Sequence, residues 1–284
     1  VSAARADVFV TAAELRQLIE AGDPVAVLDV RWTLAEPDGT AAYLAGHVPG
    51  AVYVSLDDEL SDHGVVGRGR HPLPSGRDLE ASARRWGLRN GVPVVVYDDW
   101  NRAGSGRAWW VLSAAGIPDV RILDGGLAAW TAAGGALQEG PVRPEPGDVV
   151  IAYDDLYHGA RRTLTAEEAG TYPGVLLDAR APERFRGDVE PMDPAAGHIP
   201  GAVNLPSTRV LAADGTLLPD AELRGLLAEQ GVGESAAVGA YCGSGVTAAV
   251  AVAALAAAGL DAALFPGSWS EWAGDPSRPV AVGP

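Results

Sequence analysis

Four short apolar runs punctuate the chain. Val27-Leu28 and Val94-Val95-Val96-Tyr97 lie in its first half, Leu176-Leu177 and Val238-Gly239-Ala240-Tyr241 in its second. None alternates with polar residues, so each predicts a strand buried on both faces, as in a parallel sheet covered by helices. Ahead of the first run in each half stands a Thr-x-x-Glu capping box, Thr11 with Glu14 and Thr165 with Glu168, which predicts a helix start. Each half then reads as a capped helix, a buried strand, a loop, a short strand after a Gly-His-x-Pro-Gly turn, a helix, another strand and a helix. The stretch from Gly243 to Leu260 carries no charge over 18 residues. That length alone would suit a membrane span, but its opening glycines and its reliance on alanine leave it weakly hydrophobic. A buried helix over Val246 to Ala258 is predicted instead.

The two halves repeat one another. Gly46-His47-Val48-Pro49-Gly50-Ala51-Val52 recurs as Gly197-His198-Ile199-Pro200-Gly201-Ala202-Val203, and Val27-Leu28-Asp29-Val30-Arg31 as Leu176-Leu177-Asp178-Ala179-Arg180. Gly125-Gly126-Leu127-Ala128-Ala129-Trp130 pairs with Gly267-Ser268-Trp269-Ser270-Glu271-Trp272. Two copies of one α/β domain are the simplest account. We place them at residues 1–140 and 161–284, with the Pro-rich and irregular segment 141–160 as the join. The histidines of the two Gly-His-x-Pro-Gly turns occur in both copies and are read as structural, and the Trp109-Trp110 and Trp269/Trp272 pairs as core.

Composition narrows the class of protein. The chain of 284 residues is 48% hydrophobic, ample for two cores. Its net charge of −16 predicts a surface that repels nucleic acid and anionic membranes, so an anionic substrate needs a local basic pocket. With one cysteine there is no intramolecular disulfide and no multi-cysteine metal site. No metal or cofactor is expected, and the expected setting is reducing and cytoplasmic.

That cysteine, Cys242, heads the segment Cys242-Gly243-Ser244-Gly245-Val246-Thr247-Ala248, between the last apolar run and the alanine-rich helix. A lone cysteine is usually a buried small hydrophobe. Here the small residues after it allow a loop whose backbone N–H groups turn inward, a nest that stabilises a thiolate or an anion bound to it. The first copy carries Asp98 at the equivalent place after Tyr97, so only the second copy has a candidate nucleophile.

The duplicated Gly-His-x-Pro-Gly-Ala, the Cys-Gly-Ser-Gly-Val-Thr-Ala loop and Gly-Ser-Trp-x-Glu-Trp together resemble the two-domain sulfurtransferases of the rhodanese family, over nearly the whole chain. The resemblance implies two tandem rhodanese-like domains, each a mainly parallel sheet with helices on both faces. It also implies a cysteine that takes a sulfane sulfur, becomes a persulfide, and passes the sulfur to cyanide or a thiol, a thioredoxin-like protein among the acceptors. Neutral Gly243 and Ser244 resemble the members that use 3-mercaptopyruvate rather than those that use thiosulfate, which carry basic residues there. By the same resemblance Asp57, His71 and Ser244 form a proton relay, and Arg184 binds the donor's anionic oxygens. Gly243, Gly245, Val246 and Thr247 line the donor site. A second donor-binding arginine of the animal enzymes falls at Met192 or Asp193 here, and Arg186 or Arg180 is expected to stand in for it.

Residue type alone leaves other readings open. His71 fits a loop histidine, Asp57 a helix-start carboxylate, Ser244 a merely small residue, and each arginine a structural ion pair. Thiosulfate remains the alternative donor, and a persulfide carrier without turnover the alternative function. A cysteine phosphatase would need an arginine six positions after the cysteine, where this chain has Ala248.

Overall fold

The computed structural model describes residues 2–233 and 235–284. The first domain carries β1 (Phe9–Val10), β2 (Ala26–Asp29), β3 (Val52–Tyr53), β4 (Val94–Tyr97) and β5 (Val120–Leu123), in the order β1-β5-β4-β2-β3. The second carries β6 (Val175–Asp178), β7 (Val203–Asn204), β8 (Val238–Tyr241) and β9 (Ala262–Leu264), in the order β7-β6-β8-β9. Every strand pairing is parallel, and the registers of the two sheets correspond: Asp29 lies opposite Tyr97 as Asp178 lies opposite Tyr241. A parallel bridge between Thr163 and Leu264 takes the place that β1 has in the first sheet.

Both capping boxes form, each threonine and glutamate closing on the other's backbone N–H. The sequence predicts three strands per copy, and the structure adds β1, β5 and β9. These escape a pattern reading for plain reasons. β1 has two residues, Arg121 interrupts β5, and β9 has the same alanine-rich composition as the helix before it. That helix runs over Ala248–Ala257, two residues inside its predicted start and one inside its predicted end.

It is apolar all round because it is covered on every side. One face lies on its own sheet and another packs on the helix Ala103–Ala114 of the first domain, all of whose residues are buried. Glycines let the backbones close. A Cβ on Gly106 would lie 3.2 Å from the Val250 nitrogen, and one on Gly104 only 1.8 Å from the Val30 carbonyl oxygen. Arg5 ties the domains a second time, donating to the Leu217 and Leu218 carbonyls and pairing with Asp124 and Asp220. No helix among the described residues is long and apolar enough to cross a membrane.

Candidate active site

Cys242 follows directly on β8, at the carboxyl end of the sheet, where open α/β sheets bind ligands. The loop after it is held from behind by Gly267-Ser268-Trp269-Ser270. Ser268 Oγ accepts the Cys242 N–H at 3.1 Å and donates to the Phe265 carbonyl, while the Trp269 and Ser270 N–H groups donate to the carbonyls of Cys242 and Gly243. Ser268 adopts φ 55°, a left-handed conformation that a non-glycine residue holds only when its surroundings over-determine it. Gly245 turns at φ 79° against the Pro266 carbonyl, and its N–H points back to Cys242 Sγ at 3.1 Å. Of the several inward amides expected from the glycines, the one that meets the sulfur is that of Gly245. The helix itself begins only at Ala248.

A cavity of about 310 Å³ opens over the sulfur between the domains. Cys242, Gly243, Ser244, Val246 and Thr247 line it from the second domain, with Arg180 and Arg184. The first domain contributes Trp32, Leu34, Arg70, Trp100 and Asn101. His71 stands behind Ser244: its Nδ1 meets Ser244 Oγ at 2.8 Å and its Nε2 faces Asp57 Oδ1 at 3.3 Å. Trp32 Nε1 donates to the same Asp57 oxygen at 3.0 Å and fixes the carboxylate. Burial pushes His71 down to about 3, with Arg107, His63 and Arg70 adding to the effect, so the imidazole is neutral at neutral pH. With Nε2–H directed at Asp57, Nδ1 is the acceptor for the Ser244 hydroxyl.

The arginines separate into different environments. Arg180 Nε and Nη2 bind Asp178, Nη2 also meets the Gly197 carbonyl, and Nη1 meets Glu190. The guanidinium lies over the Trp269 ring, 4.6 Å from its centre. Arg31 repeats the main contacts in the first domain, on Asp29 and the Gly46 carbonyl. An arrangement present in both copies, including the one without a thiol, is architectural. Arg186 lies outside the cavity, paired with Asp188 on the surface. Arg184, on the short helix Pro182–Arg186, reaches the cavity and pairs with Glu190 and Asp193. The two turn histidines are buried and spend ring nitrogens on backbone carbonyls, His47 on Val48 and Gly140 and His198 on Phe185.

Sequence reasoning missed Arg70, Trp32, Ser268 and above all Arg107. Arg107 is fully buried, and its guanidinium donates to the Leu60, His71, Pro72 and Gly245 carbonyls, with no carboxylate partner among the described residues. Burial lowers it to about 10, while the nearby Tyr157 and Cys242 favour the cation. It links the segment bearing His71 to the loop bearing Cys242. Its one sequence signal is a lone charge in an otherwise uncharged helix.

In the first domain Asp98 takes the place of the sulfur. Its carboxylate accepts the N–H groups of Trp100, Arg102 and Ser105 and pairs with Arg102, so that copy's nest holds its own anion.

A buried cysteine facing an inward loop amide at the end of a parallel sheet, beneath a cleft that a twin domain completes, defines a tandem α/β protein built to carry a reactive sulfur. The rhodanese-like domain profile matches residues 11–133 and 161–275, and the chain belongs to the rhodanese family. It is 66% identical over 280 residues, 99% of both chains, to SseB of Mycobacterium tuberculosis, provisionally named a thiosulfate sulfurtransferase. It is 36% identical to the 3-mercaptopyruvate sulfurtransferase of Escherichia coli K12, over 84% of each chain. Among solved structures, SseA from Escherichia coli superposes with a TM-score of 0.80 at 32% identity, covering 92% of this chain and 98% of that one.

Proposed function

We propose that this sulfurtransferase takes the sulfur of 3-mercaptopyruvate onto Cys242 as a persulfide and delivers it to a thiol or to cyanide. The relatives' names divide between two donors, and one observation favours mercaptopyruvate: the hydrogen-bonded chain Ser244–His71–Asp57 beside the sulfur. Mercaptopyruvate brings a thiol proton that must leave and departs as an enolate that needs a proton. Thiosulfate departs as sulfite and needs neither.

The steps follow from that chemistry. The Cys242 thiolate, facing the Gly245 N–H, attacks the donor sulfur, and the donor's C–S bond breaks as the S–S bond forms. Ser244 Oγ takes the donor thiol proton while passing its own to His71 Nδ1, and Asp57 steadies the transient imidazolium. Because buried His71 holds a proton poorly, it returns it through Ser244 to the enolate carbon, giving pyruvate. An acceptor thiolate or cyanide then attacks the outer sulfur and restores Cys242.

Steady-state kinetics with both donors side by side test the reading. Cys242→Ser is expected to abolish donor-dependent thiocyanate or sulfide formation, and kcat/KM to favour 3-mercaptopyruvate. Preference for thiosulfate would overturn the donor assignment, and a halt after one sulfur per chain would make the protein a carrier.

A further inference from the structure

Two arginines from different domains meet above Gly243. A Cβ on that glycine would lie 3.0 Å from Arg70 Nη2 and 3.5 Å from Arg184 Nη1, so these nitrogens stand directly over the residue after the cysteine. Both Nε atoms are buried without a hydrogen-bond partner among the described residues. The other nitrogen of each fork is held from behind by one carboxylate: Asp193 Oδ1 bonds Arg70 Nη1, and Asp193 Oδ2 lies 3.4 Å from Arg184 Nη2. The Asp193 side chain is only 4% exposed, and its N–H is fixed by Glu190 at 3.2 Å, which also holds Arg184 at 2.7 Å.

We propose that Arg70 and Arg184 form a two-armed clamp for the donor's anionic oxygens, with Asp193 as the positioning residue that sets the arms and makes the clamp suit a monoanion. The arms' free nitrogens point where a carboxylate or sulfonate would lie once its sulfur reached Cys242, and paired charged donors are the strongest means of holding such a group. Three cations, Arg70, Arg180 and Arg184, face three carboxylates, Asp178, Glu190 and Asp193, so the clamp is neutral before the donor arrives. Bringing one further negative charge to this cluster costs less than bringing two, which favours a monoanionic donor over a dianionic one. The arm that neither Arg180 nor Arg186 provides thus comes from the opposite domain, one residue before His71. This deepens the mercaptopyruvate reading and rests on it for the identity of the donor.

The test uses the whole chain and two readouts. Pyruvate, which carries the carboxylate without the sulfur, is titrated against the rate of Cys242 alkylation by iodoacetamide. Protection is expected in the wild type, with the apparent Kd raised about ten- to a hundredfold in Arg70→Gln, the loss of a charge-assisted fork. Arg70→Lys, which keeps the charge, is expected to fall between. In Asp193→Asn the ratio of kcat/KM for thiosulfate to that for 3-mercaptopyruvate is expected to rise about tenfold, since one resident negative charge is gone. Unchanged pyruvate protection in a folded Arg70→Gln overturns the clamp. If that variant does not fold, unchanged protection in Arg70→Lys does so. A donor ratio in Asp193→Asn equal to the wild type overturns the role of Asp193. Should the wild type turn over neither donor while pyruvate protection still depends on Arg70, the proposed function falls and the clamp stands.

Discussion

The hydroxyl of Ser244 is held by His71 at 2.8 Å and belongs to the wall of the cavity that Cys242 also lines. Its mutation separates the two donors. Ser244→Ala should lower kcat with 3-mercaptopyruvate about 10²- to 10⁴-fold, the usual worth of a positioned proton-transfer group. The rate with thiosulfate, which has no proton to move, should stay within about threefold of the wild type by the same reasoning. Equal losses with both donors, measured as initial rates of thiocyanate formation, would make Ser244 a packing residue. Single residues were legible in the sequence where chemistry and local motif coincide, as in Cys242 with its glycines. They were illegible where the fold alone makes the neighbourhood. Arg70 and Arg107 lie far from Cys242 in the chain; nothing local marks Arg70, and the lone charge that marks Arg107 within its helix does not say what it faces.

Between elements, the helix Ala103–Ala114 is the piece on which both domains depend. It packs on the alanine-rich helix of the second domain and carries Arg107 to the cysteine loop. Within an ordinary helix, glycine to alanine stabilises by about 1 kcal/mol. Gly104→Ala should do the reverse. Its methyl group would enter the Val30 carbonyl, and backbone rather than a flexible side chain must shift, at about 1 to 3 kcal/mol for overpacking. Thermal melting should show the lowered Tm, and an unchanged or raised Tm would show that the helix has room to slide. The capped helices and the apolar strands were legible because each is written locally, in a box or a run. β1, β5 and β9 were not, since their pairing is supplied by neighbours rather than by their own short patterns.

For the whole molecule, His71 lies buried where the two copies meet, against Ser244 of the second. Its proton affinity falls from an ordinary 6.5 in the unfolded chain to about 3 when folded. Between these values the unfolded state binds a proton that the folded state does not, so stability is full above about pH 6.5 and declines as pH falls. The slope is at most about 1.4 kcal/mol per pH unit. Urea midpoints at pH 7 and pH 5 should therefore differ less in His71→Gln than in the wild type. Identical differences in the two proteins would mean that the folded protein accepts the proton.

Asp98 gives the duplication a direction. Its carboxylate is the counter-charge of Arg102, which is 2% exposed, and the anchor for three loop amides. Exchanging it for cysteine would give the first copy a thiol, yet at neutral protonation it would strand a buried guanidinium, a change that typically costs about 3 to 5 kcal/mol. A single substitution therefore cannot readily turn this copy into a second reaction centre. With its own cradle filled by Asp98, the first domain contributes to the cavity through its walls rather than through a sulfur of its own.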